Sequence, residues 1–567
     1  MLDKLKHELA VVLEKETGVA KDEVLRTFES SQFSDLTTKV AFVVAKKDGN
    51  DQNPMEVANG LIGKIKHKYI ERVESKGPYL NIFFNDKFYS DSVKEILKQK
   101  EKYGKKKSTK RKMMVEFFHA NTHKGVHIGH IRNISIGESL CRCLEFAGNK
   151  VIRANFQGDI GPHVAKCLWG FINLYHEQAP TEKRGIWLGK VYAEASSKTK
   201  DNEELEAQVK DINMKIYAGD KRLTEIWKKT RQWCLDDFEL FYNEFNVHFN
   251  ELYFESQSEK VGKKLVHELL EKGIAKEDQG AIVMDLKNDG GLGVYILLTR
   301  EGYALYSTKD LGLAKIKSGK YKDLDRSIHV VGKEQEYHFK QLFKTFEKIG
   351  MEDFARISYH LIYGLVMLPE GKMSSREGTM VLYDDLKDKV LELTREEVKK
   401  RHEEWSESQI EDTAKKIGLG AIKFSLLNRE NNKVMVFDWD QALNLEGDSG
   451  PHVQYSFVRT NGILSRTDVK PKLGTKYKFN PDEKALIKRM IEFPDVMASI
   501  SRDYDTGRLP NYLLRLSTDF NKFYGTSKVI VEDDKDTTQN RLGIVQATNY
   551  LLKSGLTLLN IDCPEKM

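Results

Sequence analysis

The stretch VEFFHANTHKGVHIGHIRN, residues 115–133, constrains the fold more than any other part of the chain. Its apolar start is typical of a buried strand, and a polar turn separates that strand from a helix expected to begin near His127 and to end at Gly148. A second apolar run begins at Val151. Strand, helix and strand in this order predict a β-α-β unit, and therefore a parallel sheet.

His127 and His130 lie three residues apart on the first turn of this helix, so they share one face. A helix N-terminus carries unpaired N–H groups and the positive end of the helix dipole. Two imidazoles added there make a site suited to a polyphosphate, and Gly129 leaves room for a flat group against the backbone. If only the tetrapeptide HIGH (127–130) is considered, the alternative remains that both histidines are ordinary surface or core residues.

A second motif, GKMSSREG at residues 371–378, separates these two interpretations. Lys372 followed by Ser374 and Ser375, with glycine on both sides, provides one long cation and two small hydroxyl donors, which suit a transferring phosphoryl group. Alone, this segment is equally consistent with an exposed basic loop. HIGH followed far downstream by KMSS resembles the two signatures of class I aminoacyl-tRNA synthetases.

Length and composition limit the number of domains and the class of protein. A chain of 567 residues predicts three or four domains at ~150 residues each, and 40% hydrophobic residues are ample for a core. A net charge of +6 is mildly basic and compatible with a polyanionic partner. Five cysteines do not form a disulfide framework in a chain of this length. No apolar run reaches the roughly 18 residues of a membrane span, so a cytoplasmic enzyme without membrane contact is expected.

The N-terminal region has the pattern of a small α+β domain. An apolar helical stripe opens the chain, VAFVVAK (40–46) reads as a strand or a short buried segment, a helix follows Pro54, and YLNIFF (79–84) reads as a strand. The pattern resembles the N-terminal domain of arginyl-tRNA synthetases. This resemblance implies contact with the tRNA elbow at the D-loop, with Tyr79 and Asn81 at the matching positions.

The same family shows a glutamate on the first catalytic strand, followed by an asparagine, a lysine and HIGH. Here these residues are Glu116, Asn121 and Lys124. The resemblance implies that Glu116 and Asn121 bind arginine, since a guanidinium group needs planar, acceptor-rich partners. The chain departs from the family at His119 and Ala120, where small residues and proline are common.

Further substrate contacts follow from the resemblance. Tyr306 and Asp310 match the family's residues for the amino-acid substrate, and Gln335 matches its substrate glutamine, whereas an N-cap role remains an alternative for Asp310. The backbone near Val366 matches the adenine-binding strand of the class. The implied ATP-binding residues are therefore His127, Gly129, His130, Val366, Lys372, Ser374 and Ser375.

From about residue 400 the pattern is helical and resembles the anticodon-binding domain of arginyl-tRNA synthetases. His452 and Tyr455 stand where the family has paired tyrosines, and these two residues, together with Met567, are the implied tRNA contacts.

The predicted fold class is α/β: a Rossmann-like parallel-sheet catalytic domain with a helical insertion, an α+β N-terminal domain and an all-α C-terminal domain. The expected division is an N-terminal domain over 1–97, a basic linker over 98–112, a catalytic domain over 113–395 with its insertion at about 165–290, and an anticodon-binding domain over 396–567.

The resemblance also implies a reaction. The carboxylate of L-arginine attacks the α-phosphorus of ATP and releases pyrophosphate, and a 3′-terminal ribose hydroxyl of tRNA(Arg) then attacks the adenylate. His127, His130, Lys372 and Lys124 are the implied catalytic residues, Mg²⁺ is held mostly by ATP, and no protein-bound metal is expected. Many family members lack the KMSS lysine, and the lysine before HIGH is thought to replace it. This chain has both, so which one dominates stays open. A monomer is expected.

Three alternatives remain. One is a class I synthetase for another amino acid such as cysteine or glutamate, which Glu116, Asp310 and the N-terminal domain argue against. Another is a catalytically silent RNA-binding paralogue, disfavoured by the two intact signatures. The last is a small-molecule nucleotidyltransferase, disfavoured by the large helical C-terminal region.

Overall fold

The N-terminal part of this computed structural model is an antiparallel sheet covered by helices. The structure describes residues 1–29, 33–47, 52–367, 381–474 and 476–567. The first elements are α1 (Leu2–Thr17), α2 (Lys21–Arg26), β1 (Phe28–Glu29), β2 (Leu36–Thr38), α3 (Val40–Ala45), α4 (Pro54–Leu61), β3 (Ile70–Lys76), β4 (Tyr79–Phe84) and α5 (Asp86–Gln99). The strand order is β1-β2-β4-β3. The run over 40–46, predicted as a strand or a short buried segment, forms α3.

The basic run over 98–112, predicted as a linker, is packed against the protein in its first part. α5 continues to Gln99, residues 100–102 form a 3-10 turn, and Tyr103 is 2% exposed. The buried ring anchors this stretch to the protein. Residues 105–111 are exposed.

The central part contains a five-stranded parallel sheet of order β12-β11-β5-β6-β7. The predicted β-α-β unit is confirmed as β5 (Lys112–Glu116), α6 (Ile128–Phe146) and β6 (Lys150–Gln157). Four helices follow: α7 (Pro162–Asn173), α8 (Arg184–Thr199), α9 (Glu203–Tyr217) and α10 (Lys221–Phe245). They precede β7 (Glu251–Phe254), which belongs to the sheet although the sequence placed this stretch within a mostly helical insertion.

A three-stranded antiparallel sheet follows β7 in the chain, and the last two strands of the parallel sheet come after it. The elements are α11 (Glu255–Glu271), β8 (Lys276–Asp278), β9 (Ala281–Asp285), β10 (Val294–Leu298), α12 (Tyr306–Lys320), β11 (Arg326–Gly332), α13 (Glu336–Lys348), α14 (Glu352–Ile357) and β12 (Ser358–Tyr363). Ligands bind open parallel sheets at the carboxyl ends of the strands, so this edge is where the site is sought.

The described residues after β12 are mostly helical. It comprises β13 (Val366–Met367), α15 (Tyr383–Arg401), α16 (Glu407–Leu427), β14 (Met435–Val436), α17 (Trp439–Leu443), α18 (Gly450–Leu464), α19 (Pro481–Ile491), α20 (Phe493–Asp503), α21 (Arg508–Thr526) and α22 (Lys535–Leu558). None of the helices in the described ranges is both long and apolar enough to cross a membrane. The predicted fold class, with its α+β, parallel-sheet and helical parts, is confirmed.

Candidate active site

His127 is the N-cap residue of α6, and its ring lies against that of His130, with 3.7 Å between the ring centroids. Nδ1 of His127 accepts a hydrogen bond from the Gly129 N–H at 3.1 Å, and Nδ1 of His130 accepts one from the His127 N–H at 3.2 Å. Because each Nδ1 is an acceptor, each neutral ring carries its proton on Nε2. The pair offers two N–H donors at the positive end of a helix.

Both rings are uncharged at neutral pH. Burial, and then the charge of Lys124, lowers the pKa of His127 to about 4. Burial and the neighbouring His127 ring lower the pKa of His130 well below its ordinary value. Both histidines donate as neutral dipoles, so any positive charge at this site has to come from another residue.

Lys124 is the nearest candidate for that charge. Its Nζ lies 4.9 Å from the centroid of the Tyr192 ring, and it makes no ion pair with any residue in the described ranges. The predicted residues Lys372, Ser374 and Ser375 lie outside the described residues.

Gly129 makes room for the ring of His127. A Cβ at this position would lie 2.9 Å from Cε1 of His127. Glycine therefore allows the His127 ring to fold back over the first helical turn, which brings the two imidazoles together.

A cavity of about 450 Å³ lies beside the loop that leads to the histidine pair. Three predicted residues line it, namely Asn121, Lys124 and Tyr306. A Cβ at Gly158 would lie 2.1 Å from Oδ1 of Asn121, so this glycine makes room for the amide. The cavity has the size and the convergent polar groups of a small-molecule site.

Glu255 also lines this cavity, although sequence reasoning missed it. It follows β7 directly, at the carboxyl end of a parallel strand, and its carboxylate lies 2.6 Å from Nζ of Lys309. Burial raises the pKa of Glu255, and Lys309 only partly offsets this effect. Correct assignment of the four-residue strand ELYF would have drawn attention to the glutamate that follows it.

Asp310 lies one turn after Tyr306 on α12 and is held by a histidine. Nε2 of His338 donates to Oδ2 of Asp310 at 2.6 Å, which leaves Nδ1 of His338 to accept from the Tyr295 hydroxyl at 3.1 Å. The N-cap of α12 is Leu305, so the alternative role of Asp310 as the N-cap is excluded. His338 thus orients a candidate substrate ligand.

Glu116 is not open to the cavity, contrary to its predicted role as an arginine contact. It is 3% exposed, and its carboxylate pairs with Nζ of Lys317 and with Nδ1 of His329. Burial alone would raise the pKa of Glu116, but the charge of Lys317 and the His329 hydrogen bond outweigh burial and hold the pKa well below its ordinary range. Both carboxylate oxygens of Glu116 are therefore already paired with side chains of the protein.

The remaining predicted substrate residue, Gln335, is exposed and precedes α13 at the carboxyl end of β11. His119, where the chain departs from the family pattern, has a left-handed φ of 54° and donates its backbone N–H to Oδ1 of Asn155 at 3.2 Å. Both residues therefore lie at the carboxyl edge of the sheet.

Val366 occupies β13, which pairs in parallel with β14. Met435 N–H donates to the Leu365 carbonyl, and Phe437 N–H donates to the Met367 carbonyl. In a parallel ladder this pattern leaves the N–H and C=O of Val366 on the opposite edge of the strand. A planar base could bond to that edge.

The two predicted tRNA contacts of the N-terminal sheet differ in accessibility. Tyr79 is 39% exposed, and its ring meets Phe42 edge-on. Asn81 is 8% exposed, and its Oδ1 accepts hydrogen bonds from the hydroxyls of Ser34 and Thr37. This amide oxygen is already paired within the N-terminal domain, so Tyr79 is the more accessible of the two predicted contacts.

His452 and Tyr455 line a cavity of about 790 Å³ between α15, α17 and α18. Nδ1 of His452 lies 3.0 Å from the Leu445 carbonyl, and the Arg459 guanidinium covers the Tyr455 ring at 4.7 Å. Met567 instead packs into a small apolar cluster of α15 and α16. The structure therefore brings the first two predicted residues together and places Met567 against protein.

Three family models match the chain. They are described as "tRNA synthetases class I (R), catalytic domain" over residues 92–439, "DALR anticodon binding domain" over 453–567, and "Arginyl tRNA synthetase N terminal domain" over 3–84.

Curated relatives and solved structures agree with these matches. The arginine–tRNA ligase of Bdellovibrio bacteriovorus is 32% identical, with 97% of this chain and 96% of the relative covered. That of Borrelia hermsii is 34% identical over 91% of this chain and 90% of the relative. The arginyl-tRNA synthetase of Thermus thermophilus has the same fold, with a TM-score of 0.81 at 24% identity and full coverage of both chains. By these matches and this site, the chain belongs to the arginyl-tRNA synthetase family of class I tRNA synthetases.

Proposed function

We propose that this chain activates L-arginine with ATP to arginyl-adenylate, releasing pyrophosphate, and transfers the arginyl group to the 3′ end of tRNA(Arg). One observation supports this most strongly: the two imidazole donors of His127 and His130 and the cavity that contains Glu255 lie at the same edge of one parallel sheet. The first element suits a polyphosphate, and the second has the size and the polar groups of a small-molecule site.

In this proposal ATP lies over the N-terminus of α6. The Nε2–H groups of His127 and His130 donate to phosphate oxygens, and the free edge of Val366 bonds to adenine. Lys124 and Lys372 supply positive charge as negative charge develops on the leaving pyrophosphate. Mg²⁺ arrives bound to ATP through phosphate oxygens.

Arginine occupies the cavity of about 450 Å³. Asp310 and Asp159 are negative neighbours that oppose the charge of Glu255. A guanidinium group near Glu255 and Asp310 would neutralise both carboxylates through charge-assisted hydrogen bonds. Asn121, Tyr306 and Gln335 complete the substrate contacts, and Glu116 holds α12 in place through Lys317.

The tRNA contacts proposed here are Tyr79 at the elbow and His452 and Tyr455 at the anticodon, where aromatic faces can stack on unpaired bases. We retain the division into 1–97, 98–112, 113–395 and 396–567. The helical insertion ends at α10, since β7 belongs to the sheet. A cytoplasmic monomer that meets tRNA(Arg) completes the proposal.

Charging of total tRNA with each radiolabelled amino acid tests this proposal. Only arginine should be incorporated, and His130→Asn should lower the rate roughly 10²- to 10³-fold because one donor to the transition state is lost. His7→Asn, on the exposed face of α1, is the matched control and should leave the rate unchanged. Incorporation of a different amino acid, or none by folded protein, would refute the proposal.

A further inference from the structure

Helix α9 of the insertion forms one wall of the cavity of about 450 Å³ that is proposed to hold arginine. Lys210, Asn213 and Tyr217 line the cavity from this helix. They are three and four residues apart, so they lie on one face of α9. None of the substrate residues predicted from the sequence lies in the insertion. This wall therefore offers contacts that the sequence did not indicate.

The side-chain amide of Asn213 has an unpaired oxygen. Asn213 as a whole is partly exposed, but its Oδ1 is buried and accepts no hydrogen bond from the residues that the structure describes. Buried polar groups are nearly always hydrogen-bonded, because leaving one unpaired costs its full desolvation energy. An unpaired acceptor on a residue that lines a cavity indicates that a ligand supplies the donor.

Contacts on both sides of α9 fix the position of Asn213. Nε1 of Trp169, on α7, donates to Oε1 of Gln208 at 2.8 Å. The Tyr217 hydroxyl donates to Oε2 of Glu259, on α11, at 3.0 Å. The amide of Asn213 is thus presented from a fixed helix.

Two carboxylates, Glu255 of α11 and its negative neighbour Asp310 of α12, are available to a cation at this cavity. Oε2 of Glu255 lies 2.6 Å from Nζ of Lys309, and Oδ2 of Asp310 lies 2.6 Å from Nε2 of His338. Within the described ranges, no donor is bound to the second oxygen of either carboxylate. A guanidinium group has five N–H donors in one plane, so pairing with carboxylates on one edge leaves donors on the other edge.

We infer that Asn213 is a further arginine-binding residue, whose amide oxygen accepts a hydrogen bond from the guanidinium group of the substrate. A neutral acceptor completes the set without adding a third negative charge to the cavity. The ammonium group of lysine has no second edge, so this contact also favours arginine over lysine. The inference rests on the proposed function, and it concerns the binding of arginine rather than the chemistry at the histidine pair.

The test measures the KM for arginine in the charging of total tRNA at saturating ATP. Asn213→Leu removes the acceptor and keeps a branched side chain of similar shape, whereas Asn213→Asp keeps an acceptor. Asn243→Leu makes the matched change at an exposed asparagine of the insertion helix α10. Thermal unfolding of each protein is followed in parallel, with and without arginine.

Asn213→Leu should raise the KM for arginine about 10-fold, because a hydrogen bond to a charged group is lost, and should leave kcat and the KM for ATP within about twofold. Asn213→Asp and Asn243→Leu should keep the KM for arginine within about threefold of the wild type. The melting temperature of free Asn213→Leu should equal or exceed that of the wild type, because an unpaired buried acceptor is removed. Arginine should raise it less than it raises that of the wild type.

Three results would overturn the inference and leave the proposed function in place. They are an unchanged KM for arginine in Asn213→Leu, an equal rise in Asn243→Leu, and an Asn213→Leu protein that is less stable than the wild type or fails to fold. The last result would show that Asn213 supports the fold. Absence of arginine charging by the wild type would refute the proposed function and, with it, this inference.

Discussion

Nη1 of Arg132 donates a hydrogen bond to the carbonyl oxygen of Gly364 at 2.7 Å, which joins the histidine-bearing helix α6 to the strand that precedes Val366. The guanidinium is fully buried and also bonds to the carbonyls of Leu365, Asn431 and Lys433. No carboxylate pairs with it in the described part of the chain. The planar guanidinium group of Arg132 thus fixes two backbone segments beside the proposed ATP site.

Arg132→Lys should raise the KM for ATP about 10-fold, because an ammonium cannot hold four carbonyls in one plane. ATP titration in a pyrophosphate-exchange assay measures the effect. Arg466→Lys, at an exposed position, is the control and should leave the KM unchanged. A folded Arg132→Lys protein with a wild-type KM for ATP would contradict this role.

The buried pair of Glu116 and Lys317 should stabilise the fold rather than bind substrate. Lys317→Met leaves the Glu116 carboxylate unpaired by its cation, and such a loss costs about 3 to 5 kcal/mol in free energy of unfolding. Urea denaturation checks this, and the double variant Glu116→Gln/Lys317→Met should recover part of the loss. Equal urea midpoints for the wild type and Lys317→Met would show that the pair does not stabilise the fold.

Asp310→Asn should raise the KM for arginine about 10- to 100-fold, because a charge-assisted hydrogen bond to the guanidinium is lost, which corresponds to about 1.5 to 3 kcal/mol. The KM for ATP should change less than about twofold. Asp353→Asn, on an exposed helix, is the matched control. An unchanged KM for arginine would remove Asp310 from the substrate site.

Stability should fall in mild acid because of buried neutral histidines. Burial lowers the pKa of His123 to about 3, and its ring nitrogens lie 2.9 and 2.8 Å from the hydroxyls of Thr122 and Thr230. The unfolded chain binds this proton near pH 6.5 and the folded chain does not until about pH 3, so unfolding gains a proton between these values. The free energy of unfolding should therefore decrease as pH falls below about 6.5, by up to about 1.4 kcal/mol per unit for this group.

Chemical denaturation at about pH 7.5, 6.5 and 5.5 measures this dependence. His123→Gln should have a shallower decline than the wild type, and His7→Gln, whose histidine is exposed, should not. Parallel declines for the wild type and His123→Gln would exclude His123 as a source of the pH dependence.

Local signals predicted the β5-α6-β6 unit well. A buried apolar run, a polar turn and a helix with GN at its end fix the elements to within a few residues, and the position of His127 at the helix start follows from the same pattern. The run VAFVVA was harder, because a short apolar segment has no periodicity that separates a strand from a helix. In the structure this run forms α3, which packs against α4 and β4.

Relationships distant in sequence could not be predicted. β7 has only four residues and follows a long charged helix, and it is a strand because it pairs with Ala154 to Gln157 of β6. The ion pair between Glu116 and Lys317 joins β5 to α12 across the whole insertion, so no local pattern indicates that this carboxylate is occupied. The burial of Glu116 and Asn81 likewise depends on packing between elements that are distant in sequence.

The most direct test of the proposed function is ATP–pyrophosphate exchange with each amino acid, with and without total tRNA. We predict exchange with arginine alone, since the carboxylates of Glu255 and its neighbour Asp310 can pair with a guanidinium group. Exchange only in the presence of tRNA would show that arginine activation requires bound tRNA. Exchange in the absence of tRNA would show that the site is complete in the free protein. Exchange with a different amino acid, or none by folded protein, would contradict the assignment.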